Sequence, residues 1–179
     1  MLMKPIETSA LARIWTDLNE MGDAQFSDLS MRFTSAQPVL SAYLAMLGAH
    51  GADAESLESE EDDQVSAETD LVAQMGMAVW TAMTDLAGRP LPQVTIEILE
   101  KVMKENEKLQ KKLAEGSKRE VKELSRILFQ ECQQHEALAF AFRCMLVNKE
   151  SDPGERTPVK AVGLLHLKIM LDCLDRVCK

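Results

Sequence analysis

The chain has 179 residues, of which 46% are hydrophobic, and a formal net charge of −9 at pH 7. This length can bury a substantial core, so we expect one domain over residues 1–179. The acidic balance argues against nucleic acid and anionic membranes as partners, because both attract cationic surfaces. The start of the sequence lacks the apolar segment of a signal peptide, and we expect a cytoplasmic protein.

The first predicted helix covers about Thr8 to Met21, where large apolar residues recur at steps of three and four. The pattern over Phe26–Phe33 is too weak to predict an element. Pro38 suits the first turn of an apolar helix that ends at Gly48 or Gly51. Polar residues interrupt the uncharged stretch around this helix, which favours a buried helix over a membrane span.

An acidic segment follows. Gly51–Asp70 contains nine Asp or Glu residues and no Lys or Arg, and the rest of the chain has equal numbers of acids and bases. Charge repulsion and the shortage of apolar residues predict a solvated, mobile loop over residues 51–70. A helix resumes near Ser66 and runs to Ala87, with apolar residues on two sides that indicate two packing neighbours. Gly88 and the two prolines after it end this helix.

A long antiparallel helical hairpin, protruding or packed, is predicted over residues 91–149. An apolar heptad spacing begins at Leu99, includes Asn106, and returns after Gly116–Ser117, where glycine and a capping serine favour a reversal. The second helix then carries His135 at a core-facing position. Polar residues at such positions often fix register or partner choice, and we assign that role to both residues. Replacing the asparagine by leucine is therefore expected to raise stability while loosening register.

The tip of this hairpin is basic. Lys101–Arg126 contains nine Lys or Arg residues against five Asp or Glu residues. A solvated helix face explains this composition, and so does a surface that docks on an acidic partner or on the chain's own acidic loop. Lys108, Lys111 and Lys112 are the candidate interaction residues.

The last helix begins at Thr157-Pro158, a hydroxyl cap followed by proline. Its apolar residues cover most of the circumference, which predicts a position at the centre of a bundle. Alternation typical of a strand occurs only over Val94–Ile98, where helix is also favoured. The predicted fold is therefore an all-α bundle of five to seven helices.

One compact group of residues resembles a metal site in composition. His135 lies three residues after Cys132 and four after Glu131, so either pair could meet one metal ion from a single helix face. Further ligands would have to come from distant residues such as His166 or Cys173. A polar layer in the hairpin seam explains the same residues, and all four cysteines are expected to be free thiols.

The sequence contains no recognisable catalytic or phosphate-binding motif. We therefore expect a protein without a cofactor that acts as a non-enzymatic helical interaction or adaptor module, using its hairpin and an apolar groove. Its partner would be another protein or a second copy of the chain. The alternative is a metal-binding helical bundle or an enzyme centred on Cys132 and His135.

Overall fold

The structure is a computed structural model that describes residues 4–52, 60–115, 126–147 and 157–178. The described residues form eight helices and no strand, which confirms the all-α fold and exceeds the predicted five to seven helices. None of the helices in these ranges is long and apolar enough to cross a membrane. The helices are α1 (Thr8–Glu20), α2 (Asp23–Ala36), α3 (Pro38–Ala52), α4 (Glu60–Ala87), α5 (Ile96–Glu115), α6 (residues 126–131), α7 (His135–Val147) and α8 (Thr157–Val177).

Helix α8 lies at the centre and packs against α4, α5 and α7. Ten of its residues between positions 164 and 175 are buried, so it has no continuous solvent-facing side. The apolar circumference of the sequence predicted this position. Two charged residues, Lys168 and Asp175, are buried with the apolar ones.

Helix α4 is the second core element and contacts α1, α3, α7 and α8. Met77 and Trp80, which lie off its main apolar stripe, are also buried. At Gly76 the neighbouring helices approach very closely: a Cβ atom there would lie 2.9 Å from the Met170 sulfur and 3.1 Å from Leu44 Cδ1. Glycine therefore permits the crossing of α4 with α3 and α8.

The acidic segment is more helical than predicted. Residues 51 and 52 belong to α3, and α4 begins at Glu60, about six residues before the predicted start. The acidic composition of residues 60–63 therefore does not prevent a helix. The prediction of a loop is therefore wrong over residues 60–65, where α4 has already begun, and residues 53–59 lie outside the described ranges.

The predicted stop after α4 is confirmed in detail. Gly88 has φ 61° and its N–H donates to the carbonyl oxygens of Thr84 and Asp85. Gln37, fully buried between α2 and α3, fixes the segment that follows. Its Oε1 accepts from Val94 N at 2.9 Å, and its Nε2 donates to Pro92 O at 2.9 Å. These bonds set the point from which α5 departs.

The second arm of the predicted hairpin is interrupted. Helix α6 ends at residue 131, and α7 begins at His135 after a turn. The fully buried side chain of Gln134 bonds to distant parts of the chain at this break: Oε1 accepts from Ile6 N at 2.9 Å, and Nε2 donates to Asp175 Oδ1 at 3.1 Å. The prediction of one continuous second helix is therefore wrong at residues 132–134. The hydrogen bonds of Gln134 to Ile6 and Asp175 hold the turn at this break.

The first arm of the predicted hairpin, α5, packs against α8 and contacts α3. Packing of this arm against the second arm stays a prediction. The predicted reversal at Gly116–Ser117 lies outside the described residues. Helix α2, which the sequence did not predict, buries Leu29 and Phe33, and two buried residues four apart give too short a pattern to recognise.

Replacing Gly76 by valine should lower the free energy of unfolding by about 2 kcal/mol, because the added isopropyl side chain must displace Met170 and Leu44 in a packed crossing. The matched control is Gly22→Val, since no atom lies within 4 Å of a Cβ at that position. Chemical denaturation measures both variants. Equal, small losses would show that the crossing tolerates side chains.

Candidate functional site

An open groove of about 250 Å³ lies between α2, α3 and α4. Its floor is formed by the buried side chains Phe33, Leu44 and Met77. The walls carry small residues, and Asp70 adds one exposed carboxylate. The small wall residues are Ser30, Ser41, Ala45 and Ala73.

Contacts beneath and beside the groove hold its shape. The ring of Phe33 packs edge-on against Trp80 with centroids 5.4 Å apart. The hydroxyls of Thr34 and Ser41 lie 2.9 Å apart and join α2 to α3. Leu44 is also the side chain that closes on Gly76, so the floor of the groove is continuous with the core crossing.

Two strongly exposed methionines lie on the helices that form the groove. Met31 on α2 is 60% exposed and Met46 on α3 is 58% exposed. Flexible thioether side chains adapt to apolar partners of different shape, which is why they recur at protein-binding surfaces. The arrangement therefore combines a preformed apolar depression with adaptable apolar side chains on its helices.

Apart from the apolar groove, a buried polar cluster surrounds Asn106 on α5. The heptad pattern predicts a buried position for this residue, and the structure confirms it. Asn106 Nδ2 donates to Val102 O at 2.9 Å, and Oδ1 accepts from Lys168 Nζ at 3.0 Å. Lys168 is 5% exposed and also pairs with Asp172 Oδ2 at 2.7 Å. The bond to Asn106 therefore offsets part of the free-energy cost of burying the Lys168 ammonium group. The sequence alone does not reveal this role.

His135 is not at a core-facing position. It is exposed as the first residue of α7, because the break at residues 132–134 changes the register after Leu128. Its side chain therefore cannot form a buried layer with Asn106. The predicted role of His135 in partner binding stays a prediction.

The Cys132 and His135 side chains do not form a shared centre. Cys132 is buried and His135 is exposed, although they are three residues apart. Burial raises the pKa of Cys132 to about 12, and that of Cys173 to about 12, so both thiols stay protonated at neutral pH. Within the described ranges, no three His, Cys, Asp or Glu side chains are grouped so as to hold a metal ion.

The remaining predicted site residues on α5 and α6 lie at the surface. Glu131 is exposed at the end of α6. Lys108, Lys111 and Lys112 are exposed on the second half of α5, where Lys111 Nζ lies 2.8 Å from Glu107 Oε1. The basic face is therefore solvated in this chain, and any partner of it stays a prediction.

His166, considered as a distant metal ligand, bonds instead to a tyrosine. Its Nδ1 lies 2.6 Å from the Tyr43 hydroxyl, with the two rings in an edge contact. Burial lowers the pKa of His166 to about 4 and raises the pKa of Tyr43, so both groups are neutral at pH 7. The tyrosine O–H can then donate to the unprotonated nitrogen, which joins α3 to α8.

Comparisons of the chain with protein-family models, with curated proteins and with solved structures gave no match. The functional argument therefore depends on the geometry of the described residues.

Asn106→Leu should lower stability by about 1–3 kcal/mol, because the buried ammonium of Lys168 loses an acceptor. This reverses the expectation from the heptad pattern. Adding Lys168→Met should recover most of the loss, since the charge that needs the acceptor is then gone. A double-mutant cycle by urea unfolding measures the coupling, and additive losses would contradict a link between the two side chains.

Stability should fall on acidification by about 2 kcal/mol between pH 7 and pH 5 through His166 alone. The unfolded histidine binds a proton near pH 6.5, whereas the folded one resists it down to about pH 4. His166→Asn keeps a hydrogen-bond acceptor for Tyr43 and should remove this part of the pH dependence. The control His135→Asn changes an exposed histidine and should leave the slope unchanged; similar slopes for all three proteins would refute the assignment.

Proposed function

We propose that this chain is a non-enzymatic protein-interaction or adaptor module, and that the groove between α2, α3 and α4 binds an amphipathic helix of a partner. The observation that carries the proposal is the apolar floor of Phe33, Leu44 and Met77 beneath small wall residues. Such a depression accepts apolar side chains at helical spacing.

The charge beside the groove indicates the chemistry of the partner. Asp70 lines the groove, and α4 from Glu60 to Asp70 has six acidic residues and no basic one in its sequence. Opposite charge at the rim speeds association and selects against acidic partners. The favoured occupant is therefore a helix with leucine-like residues on one face and Lys or Arg on the other.

A second copy would bring the same Asp70 carboxylate to the groove, so charge favours a basic partner over self-association there. A homodimer would have to form through a different surface. Light scattering at several protein concentrations separates these cases, because groove binding needs no change in the mass of the free chain.

Binding to a designed helical peptide tests the groove. A fluorescent peptide of leucine and lysine with one apolar face should bind the full chain, and a leucine and glutamate peptide of the same pattern should bind much more weakly. Ala45→Arg places bulk and positive charge on the groove wall and should weaken binding of the basic peptide about tenfold or more, equivalent to about 1.4 kcal/mol.

The matched control is Ala24→Arg, which adds the same side chain at an exposed alanine of α2 outside the groove. It should change the affinity less than about twofold, about 0.4 kcal/mol. Fluorescence anisotropy measures both variants. Equal weakening by the two substitutions would show that the peptide responds to net charge alone, and equal binding of both peptides would contradict the acidic rim.

A further inference from the structure

Helices α1 and α2 are joined by a connector of two residues, Met21 and Gly22, and both residues are extended. Met21 has φ −66° and ψ 138°, and Gly22 has φ −74° and ψ 161°. Because both φ angles are already close to the helical value of about −63°, rotation about the two ψ angles alone would make the connector helical. Gly22 lies at the surface, and a Cβ atom there would have no neighbour within 4 Å. The connector therefore has room to open.

The apolar pattern of the sequence continues through this connector without a change of phase. If residues 8–36 formed one helix at about 100° per residue, the large apolar side chains that contact the core would all lie within about 140° of its circumference. A single straight helix would therefore present one continuous apolar face. The sequence is compatible with two arrangements of α1 and α2, one bent and one straight. The side chains of this face are Leu11, Ile14, Trp15, Leu18, Met21, Phe26, Leu29 and Phe33.

Helix α1 is docked on parts of the protein that are distant in sequence. It packs against α4 and α7, and its contact with the neighbouring helix α2 is smaller than its contact with either of them. The segment before α1 is held in the same way. The buried Ile6 donates its N–H to Gln134 Oε1 at 2.9 Å, and Gln134 Nε2 donates to Lys4 O at 3.4 Å. These contacts do not require that α1 belong to the same chain, so residues 4–20 of a second copy can make them equally well.

We propose that two copies of this chain exchange residues 4–20 through a straightened connector, so that α1 of each copy packs on α4 and α7 of the other. Each copy then lacks part of its core until the second copy supplies α1. The exchange does not rest on the proposed function, because the groove belongs to α2, α3 and α4, which all stay in their own chain.

The balance between monomer and exchanged dimer depends on the connector and on concentration, because both forms make the same packing contacts. A short tether holds α1 beside its own docking surface at an effective concentration on the order of mM. The dimer therefore grows as the protein concentration approaches this value. A helical connector shifts the balance to lower concentration, because backbone N–H groups at the start of α2 gain carbonyl partners in α1.

Two substitutions at Gly22 have opposite expected effects. Glycine is about fivefold less favourable than alanine in a helix interior, and the dimer has two connectors, so Gly22→Ala should lower the Kd of the dimer about tenfold or more. Gly22→Pro suits the bent connector, because proline fixes φ near the observed −74° and favours an extended residue before it, as Met21 is. Proline in the middle of a helix is strongly unfavourable, so this variant should remain a monomer.

Light scattering after size-exclusion chromatography measures the mass of the full chain, equilibrated from about 10 μM to about 1 mM. A photoreactive benzoylphenylalanine in place of the exposed Lys4 identifies the chain that α1 contacts in an equilibrated mixture of isotope-labelled and unlabelled chains. The dimer fraction should give cross-links between labelled and unlabelled chains near Gln134, and the monomer fraction should give intrachain cross-links. Monomers for both Gly22 variants at every concentration, a proline variant that dimerises as strongly as the alanine variant, or a dimer with intrachain cross-links alone would each overturn the proposal.

Discussion

The burial of α8 between residues 164 and 175 is the constraint on which the rest of the structure depends. A helix buried over this length must satisfy most of its polar side chains inside the protein, because an unpaired buried charge costs several kcal/mol. Lys168 donates to Asn106 on α5 and to Asp172 in its own helix, and Asp175 accepts from Gln134 in the turn before α7. Apolar packing drives α5 and α7 onto α8, while these bonds select the register in which they pack.

Three buried amides act as connectors between distant parts of the chain. Gln37 holds the segment before α5, Gln134 holds the N-terminal segment, and Asn106 holds the lysine of α8. The pairs are separated by 57, 128 and 62 residues respectively. Each amide offers a donor and an acceptor at once, so one side chain can satisfy two buried groups that apolar contacts would leave unpaired. Gln37 bonds to the segment before α5, and Gln134 joins Ile6 to Asp175 of α8. Asn106 and Lys168 line a polar cavity between α5 and α8.

Periodicity predicted the elements whose pattern is long. The apolar circumference of α8, the two-sided pattern of α4 and the stop at Gly88 are properties of local sequence, and the structure confirms them. Helix α2 was missed because it buries only Leu29 and Phe33. Charge composition favours a loop before Ser66, so the sequence does not reveal that α4 begins at Glu60.

The candidate sites were harder to predict, because they depend on contacts between residues far apart in sequence. The continuous heptad pattern placed His135 in the core, but a tertiary bond network around Gln134 breaks the helix before it, and no local signal distinguishes that glutamine from its neighbour Gln133. Charged residues within the apolar sequence of α8 did carry a usable signal. In a helix predicted to be central, charged residues such as Lys168 and Asp172 must have partners inside the protein. In the structure the two residues pair with each other, and Lys168 also bonds to Asn106 beside the polar cavity.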